Sequence, residues 1–93
     1  MNEIIHDAER GEFRVRVEPG FEALVRYQLE GNVMAITSTR VPDELQGKGY
    51  GKVMMETVLP EIEQMGLTVR PVCSYVEHYL NRHPQWAHLV AKP

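Results

Sequence analysis

The sequence predicts a mixed α+β (α/β) domain, with antiparallel strands leading into a strand–helix–strand unit and a C-terminal helix. Three observations predict it. Between residues 12 and 29 apolar side chains alternate with charged or polar ones, the two-residue period of half-buried strands. From Gly49 to Met65 the apolar positions recur at helical spacing instead. Where the two patterns meet, Gly47, Gly49 and Gly51 alternate with Lys48 and Tyr50.

In chain order, a short strand "EIIHD" precedes "EFRVRVE" (12–18), whose inward set is Phe13, Val15 and Val17. "EPG" (18–20) turns the chain, since proline presets one turn dihedral and glycine accepts a positive φ. "FEALVRYQL" (21–29) alternates again through Phe21, Ala23, Val25, Tyr27 and Leu29, and "EGN" makes the next turn. "VMAITSTRV" (33–41) carries small, apolar and hydroxyl residues on both faces, the pattern of a strand covered on both sides. The helix follows, with Val53, Met54, Val58, Ile62 and Met65 on its apolar stripe and Gly66 placed to end it in a left-handed conformation. Pro60 removes one backbone donor, so a kink or a loosened last turn is expected rather than two helices. "LTVRPV" (67–72) is the next strand, and strand, helix and strand in succession usually cross over right-handedly with the strands parallel. Ser74 caps "YVEHYLNR", His83-Pro84 stops it, and "QWAHLV" adds a turn against the core.

The 93 residues are about one domain's length, with no Pro/Ser-rich linker at which to divide them, so 1–93 reads as one unit. A net charge of −3 argues against a nucleic-acid-seeking surface. Arg14, Arg16 and Arg26 share their strand faces with Glu12, Glu18 and Glu22, which reads as a solvated face. Apolar runs fall short of a membrane span and the N-terminal residues lack a signal-peptide core, so a cytoplasmic protein is expected. One cysteine excludes an internal disulfide framework, and the four scattered histidines lack the tight spacings of structural zinc, so no metal is expected.

The glycine segment suggests an anion seated on backbone amides at a helix N-terminus. A Walker A loop fails, because Gln46 stands where its first glycine belongs and Val53 where its hydroxyl belongs. A dinucleotide fingerprint fails as well, since Lys52 or Met54 falls at its third glycine. The order Gln46-Gly47-Lys48-Gly49-Tyr50-Gly51, Q-x-x-G-x-G, resembles the pyrophosphate loop of the GNAT acetyltransferase superfamily.

A second motif makes the resemblance specific. Val41-Pro42, Leu45 and the three glycines are followed, past a helix, by Pro71-x-Cys73, Tyr79 and His83-Pro84, and this pairing is similar to the small single-domain GNAT-like N-acetyltransferase domains. The likeness runs from about Gly11 to Val90. It implies a minimal GNAT fold in which the strand before the loop and the strand after the helix splay apart, admitting the pantetheine arm of acetyl-CoA. The implied cofactor-binding residues are Val41, Leu45, Gln46, Gly47, Lys48, Gly49, Tyr50, Gly51 and Lys52. Larger members carry two acceptor-binding helices between the first two strands; here only "AERG" (8–11) lies there, so an open acceptor side is expected. Relatives often carry a His-Thr pair just before Val-Pro; this chain has Ser38-Thr39, which removes a candidate base.

For the chemistry, transfer of an acetyl group from a thioester to an amine needs a polarised carbonyl and a proton for the leaving thiolate. Backbone amides at the splayed strand suit the first need. Tyr79 matches the family's tyrosine and suits the second, or else is a packed aromatic; Tyr75 stands in reserve. Cys73, near a helix N-terminus, either accepts the acetyl group as a thiolate or is a small buried hydrophobe. His83 either acts as a base, orients Cys73, or satisfies the last carbonyls of its helix. Glu77 and His78 read as surface, Met54 and Met55 as helix packing, and Trp86 as a lid or core anchor. The expected activity is an acetyl-CoA-dependent N-acetyltransferase, with a CoA or acyl-CoA binding module as the rival. Expected partners are acetyl-CoA and an unidentified amine, with neither nucleic acid nor membrane, the chain acting as a monomer or weak dimer.

Overall fold

The computed structural model describes residues 3–92. Five strands form one sheet in sequence order, β1 (Ile4–Asp7), β2 (Glu12–Glu18), β3 (Phe21–Glu30), β4 (Val33–Arg40) and β5 (Thr68–Pro71). The first four are an antiparallel meander and β5 lies parallel to β4. Between β4 and β5 runs α1 (Tyr50–Gln64); α2 (Ser74–Arg82) follows β5. The predicted elements are therefore all present, and the mixed sheet with a parallel β4–β5 pair is the expected α+β arrangement.

The alternation decides which face is covered. Phe13, Val15, Ala23, Val25, Tyr27, Met34, Ile36 and Val69 are buried and form one core with Met54, Met55, Val58, Leu59 and Ile62 of α1 and Val76, Tyr79 and Leu80 of α2. His6, which no sequence pattern assigned, stacks on Phe13 with ring centroids 4.4 Å apart and hydrogen-bonds the Tyr27 hydroxyl. The other face is polar and open along Arg26, Gln28, Ser38 and Arg40. One residue on it departs from the expected solvated face. Glu12 is only 5 % exposed, because Arg14 at 2.7 Å and Arg26 at 3.6 Å close over its carboxylate.

Helix ends follow local chemistry. α1 continues through Pro60 as a single helix, and Gly66, at φ +75°, ends it. Its amide bonds the Glu63 carbonyl at 3.0 Å while that of Leu67 reaches Ile62 at 3.4 Å, the paired closure of a Schellman motif. A short 3-10 turn, Asp43–Leu45, lies between β4 and the glycine segment, and buried Leu45 pins it to the core. A second 3-10 stretch, Pro84–Leu89, leads to Val90, which bridges Val69 on the outer side of β5. Trp86 packs against the core from this stretch. No helix among the described residues is long and apolar enough to cross a membrane.

Candidate active site

The site begins where β4 and β5 part. Their ladder runs from Val33–Thr68 to Ile36–Pro71. The Ile36 carbonyl then accepts both the Val72 amide, at 3.1 Å, and the Cys73 amide, at 2.9 Å, which turns the chain off the sheet and into α2. The expected coverage of β4 on both sides thus holds only for Met34, Ala35 and Ile36; Thr37, Ser38 and Arg40 are exposed.

A bulge sets what the free half of β4 presents. Opposite β3, Ile36 pairs with Tyr27 but Ser38 pairs with Arg26, so Thr37 is the extra residue and bonds the Arg26 carbonyl through its hydroxyl at 3.3 Å. Strict alternation from Ile36 would turn Ser38 inward. With one residue inserted, Ser38 joins the open face and Thr39, opposite Val25, joins the helix-covered face. Its hydroxyl lies 3.5 Å from the Cys73 sulfur.

Cys73, and not Ser74 as expected, stands at the N-cap position of α2, with Ser74 as the first helical residue, and Cys73 is partly buried. Burial pushes its pKa up, but hydrogen bonding from the Thr39 hydroxyl and from the amides of Val76, Tyr75 and Thr39 outweighs it, so the thiol titrates below its ordinary range.

The glycine segment walls a cavity of about 450 Å³, which Thr39 and Tyr75 line but Cys73 does not. Gly47 and Gly49 adopt φ +80° and +83°, conformations that side chains resist, and Gly49 begins α1 with no side chain capping its amides. An uncapped helix N-terminus approached through glycines fits a pyrophosphate, and Val41, Leu45 and Met54 give the cavity an apolar wall suited to a pantetheine arm. Of the nine residues expected to bind the cofactor, only Lys48 does not line this cavity. Tyr50 does line it, but its hydroxyl is engaged by Glu18.

The aromatic residues of α2 divide differently from expectation. Tyr75 lines the cavity and lies over Gly51 so closely that a Cβ there would sit 2.4 Å from its hydroxyl. Burial and the nearby Cys73 charge hold its proton on above the ordinary phenol range. Tyr79 is 4 % exposed, its hydroxyl is buried without a hydrogen-bond partner among the described residues, and it does not line the cavity. His83 stacks on Tyr79 at 3.9 Å and its Nδ1 bonds the Tyr79 carbonyl at 2.7 Å, capping the helix end. The 9-residue helix puts it about 13 Å from the Cys73 end, at roughly 1.5 Å per residue, so His83 does not orient Cys73. Sequence reasoning left Thr39 unassigned, because only the bulge turns it toward the sulfur. Met54, read as packing, is buried as expected but also borders the cavity.

A parallel pair that parts beside a glycine cradle at the helix between them is the architecture of a GNAT-like domain. The chain belongs to the GCN5-related N-acetyl-transferase family, whose profile matches residues 12–89. It is similar to Protein NATD1 of Gallus gallus, 26 % identical over 84 residues that span 88 % of this chain and 76 % of that one. To Protein NATD1 of Homo sapiens it is 27 % identical over 81 residues, 85 % of this chain and 72 % of the relative. Its fold matches the NMR solution structure of a GCN5-like protein from Staphylococcus aureus with a TM-score of 0.72, at 24 % identity, covering 98 % of this chain and 89 % of the other.

Proposed function

We propose that the chain is an acetyl-CoA-dependent N-acetyltransferase that passes the acetyl group through Cys73 to an amine. The observation that carries this reading is the hydrogen bond between the Cys73 sulfur and Thr39 where β4 and β5 part, since Thr39 itself lines the glycine-walled cavity. Acetyl-CoA would supply the activated acetyl group, with its pyrophosphate on the amides of the Gly47–Gly51 segment.

The Cys73 thiolate attacks the thioester carbonyl carbon and the bond from that carbon to the CoA sulfur breaks. The leaving thiolate takes the Tyr75 hydroxyl proton. A neutral amine then attacks the acetyl-cysteine, the bond to the Cys73 sulfur breaks, and the thiolate returns as the amine's proton passes to the Tyr75 phenolate. In this scheme Tyr75 takes the role that the sequence suggested for Tyr79. Tyr79 and His83 act as packing that fixes α2.

Calorimetric titration with CoA tests the binding half of the reading. Gly49→Glu places a carboxylate against the pyrophosphate and should abolish measurable binding, while Gly49→Ala, which carries only the backbone strain of about 1–2 kcal/mol, should retain it. Equal affinity in wild type and folded Gly49→Glu would place the ligand elsewhere. Tight binding with no transfer to any amine would favour the rival, a CoA-binding module.

A further inference from the structure

Resting on the transferase reading, we propose that the acceptor is a small primary amine that also carries an anionic group, a carboxylate or phosphate, gripped by Arg26 and Arg40. A second cavity of about 560 Å³ opens on the polar face of the sheet, around Leu24, Arg26, Ser38, Arg40 and Asp43. Thr39 borders both this cavity and the glycine-walled one, and its hydroxyl touches the Cys73 sulfur. An amine anchored in the second cavity would reach the acetyl group past Thr39, at the edge of β4 that β5 leaves uncovered.

The register places the two arginines for joint work. Arg26 pairs with Ser38 and Leu24 with Arg40, so Arg26 and Arg40 are diagonal neighbours on one face, about 7–8 Å apart at the backbone, with the Ser38 hydroxyl beside them. Each has a carboxylate neighbour, but loosely. Arg26 approaches Glu12 through Nε at 3.6 Å, and Glu12 is already bound more closely by Arg14 at 2.7 Å. Arg40 lies 4.0 Å from Asp43, with both side chains mostly exposed. The exposed Arg40–Asp43 pair holds weakly, and buried Glu12 keeps its closer partner Arg14 when Arg26, 61 % exposed, turns to a ligand; two guanidinium forks converging on one carboxylate or phosphate bind it through several charge-assisted hydrogen bonds.

The test uses the full chain and begins with CoA calorimetry on wild type and Arg26→Gln/Arg40→Gln, where equal affinities are expected; absent CoA binding would indict the transferase reading and not this one. Acetylation is then compared for β-alanine, aminoethyl phosphate, propylamine and putrescine. One of the two anionic amines should exceed both others in kcat/KM by about tenfold or more, and the better of them identifies the anion. The double variant should raise KM for that amine by a similar factor while leaving kcat, and the KM of propylamine, unchanged. Anion binding is also read without turnover, by amide NMR shifts at Ser38 and Thr39 on titrating β-alanine or aminoethyl phosphate. Propylamine or putrescine matching the anionic amines, a KM unmoved in the double variant, or no shift with either anion would each overturn the proposal.

Discussion

Residues 33–36 and 37–40 are the two halves of one strand, yet the first is bonded to β3 and β5 and buries Met34, Ala35 and Ile36, whereas the second is bonded to β3 alone and leaves Thr37, Ser38 and Arg40 exposed. The first half, Val-Met-Ala-Ile, is wholly apolar and the second, Thr-Ser-Thr-Arg, wholly hydroxyl or charged, although the strand as a whole is expected to be covered on both sides. Pairing adds to this change in composition: β5 leaves the strand at the Ile36 carbonyl, and the extra residue Thr37 resets which side chains face inward. On the proposed mechanism, stability and chemistry occupy successive segments of one element. Changes in the first half should therefore be read in folding, and changes in the second in reactivity.

The largest effect should come from Ile36→Ala. Truncating this fully buried side chain should cost about 2–5 kcal/mol of stability, seen as a lower denaturation midpoint, with little change in Cys73 reactivity among molecules that remain folded. A comparable loss of reactivity in the folded fraction would break the separation of the two halves.

Gly51→Ala should act in the opposite sense. The new methyl meets only the far end of Tyr75, so the fold should persist while the phenol is displaced, and acetyl transfer should fall by about tenfold to a hundredfold in steady-state assays. Unchanged transfer would remove Tyr75 from the chemistry.

Thr39→Val sharpens the comparison further. The folded protein holds the Cys73 pKa low, so the thiolate persists as pH falls until that pKa is crossed, and the share of stability tied to the charged form is lost over the same descent. Removing the Thr39 hydroxyl takes away one donor and raises the pKa, so the pH profile of iodoacetamide alkylation should move to higher pH and the rate at pH 7 should drop several-fold. Ser38→Ala, on the open face of the same half, should change stability by no more than about 0.5 kcal/mol in the same denaturation assay.

Much of this was legible in residues alone, for identifiable reasons. Strand alternation is a local property, so Phe13, Val15, Ala23, Val25 and Tyr27 announce their core face without help. Gly66 and the glycine cradle are legible because few other residues accept their dihedrals. The bulge is not, since nothing in "AITST" marks Thr37 as the residue β3 will skip, and Thr39 cannot be assigned without it. The choice between Tyr75 and Tyr79 was equally closed to spacing. Both stand on one side of α2, and only the packing against Gly51 puts Tyr75 at the cavity and Tyr79 inside. Glu12 escaped for a similar reason, because its burial is made by side chains of two strands rather than by its own neighbours in sequence.

On the proposed mechanism, the parting of β4 from β5 leaves Cys73 as a thiolate that takes up an acetyl group from CoA. Intact-protein mass spectrometry after incubation with acetyl-CoA, run on wild type and Cys73→Ala without any amine, tests it most directly. One acetyl group on wild type, absent from Cys73→Ala and discharged on adding the preferred amine, is the predicted result. An unmodified wild-type protein, or an adduct of equal yield in Cys73→Ala, would contradict it.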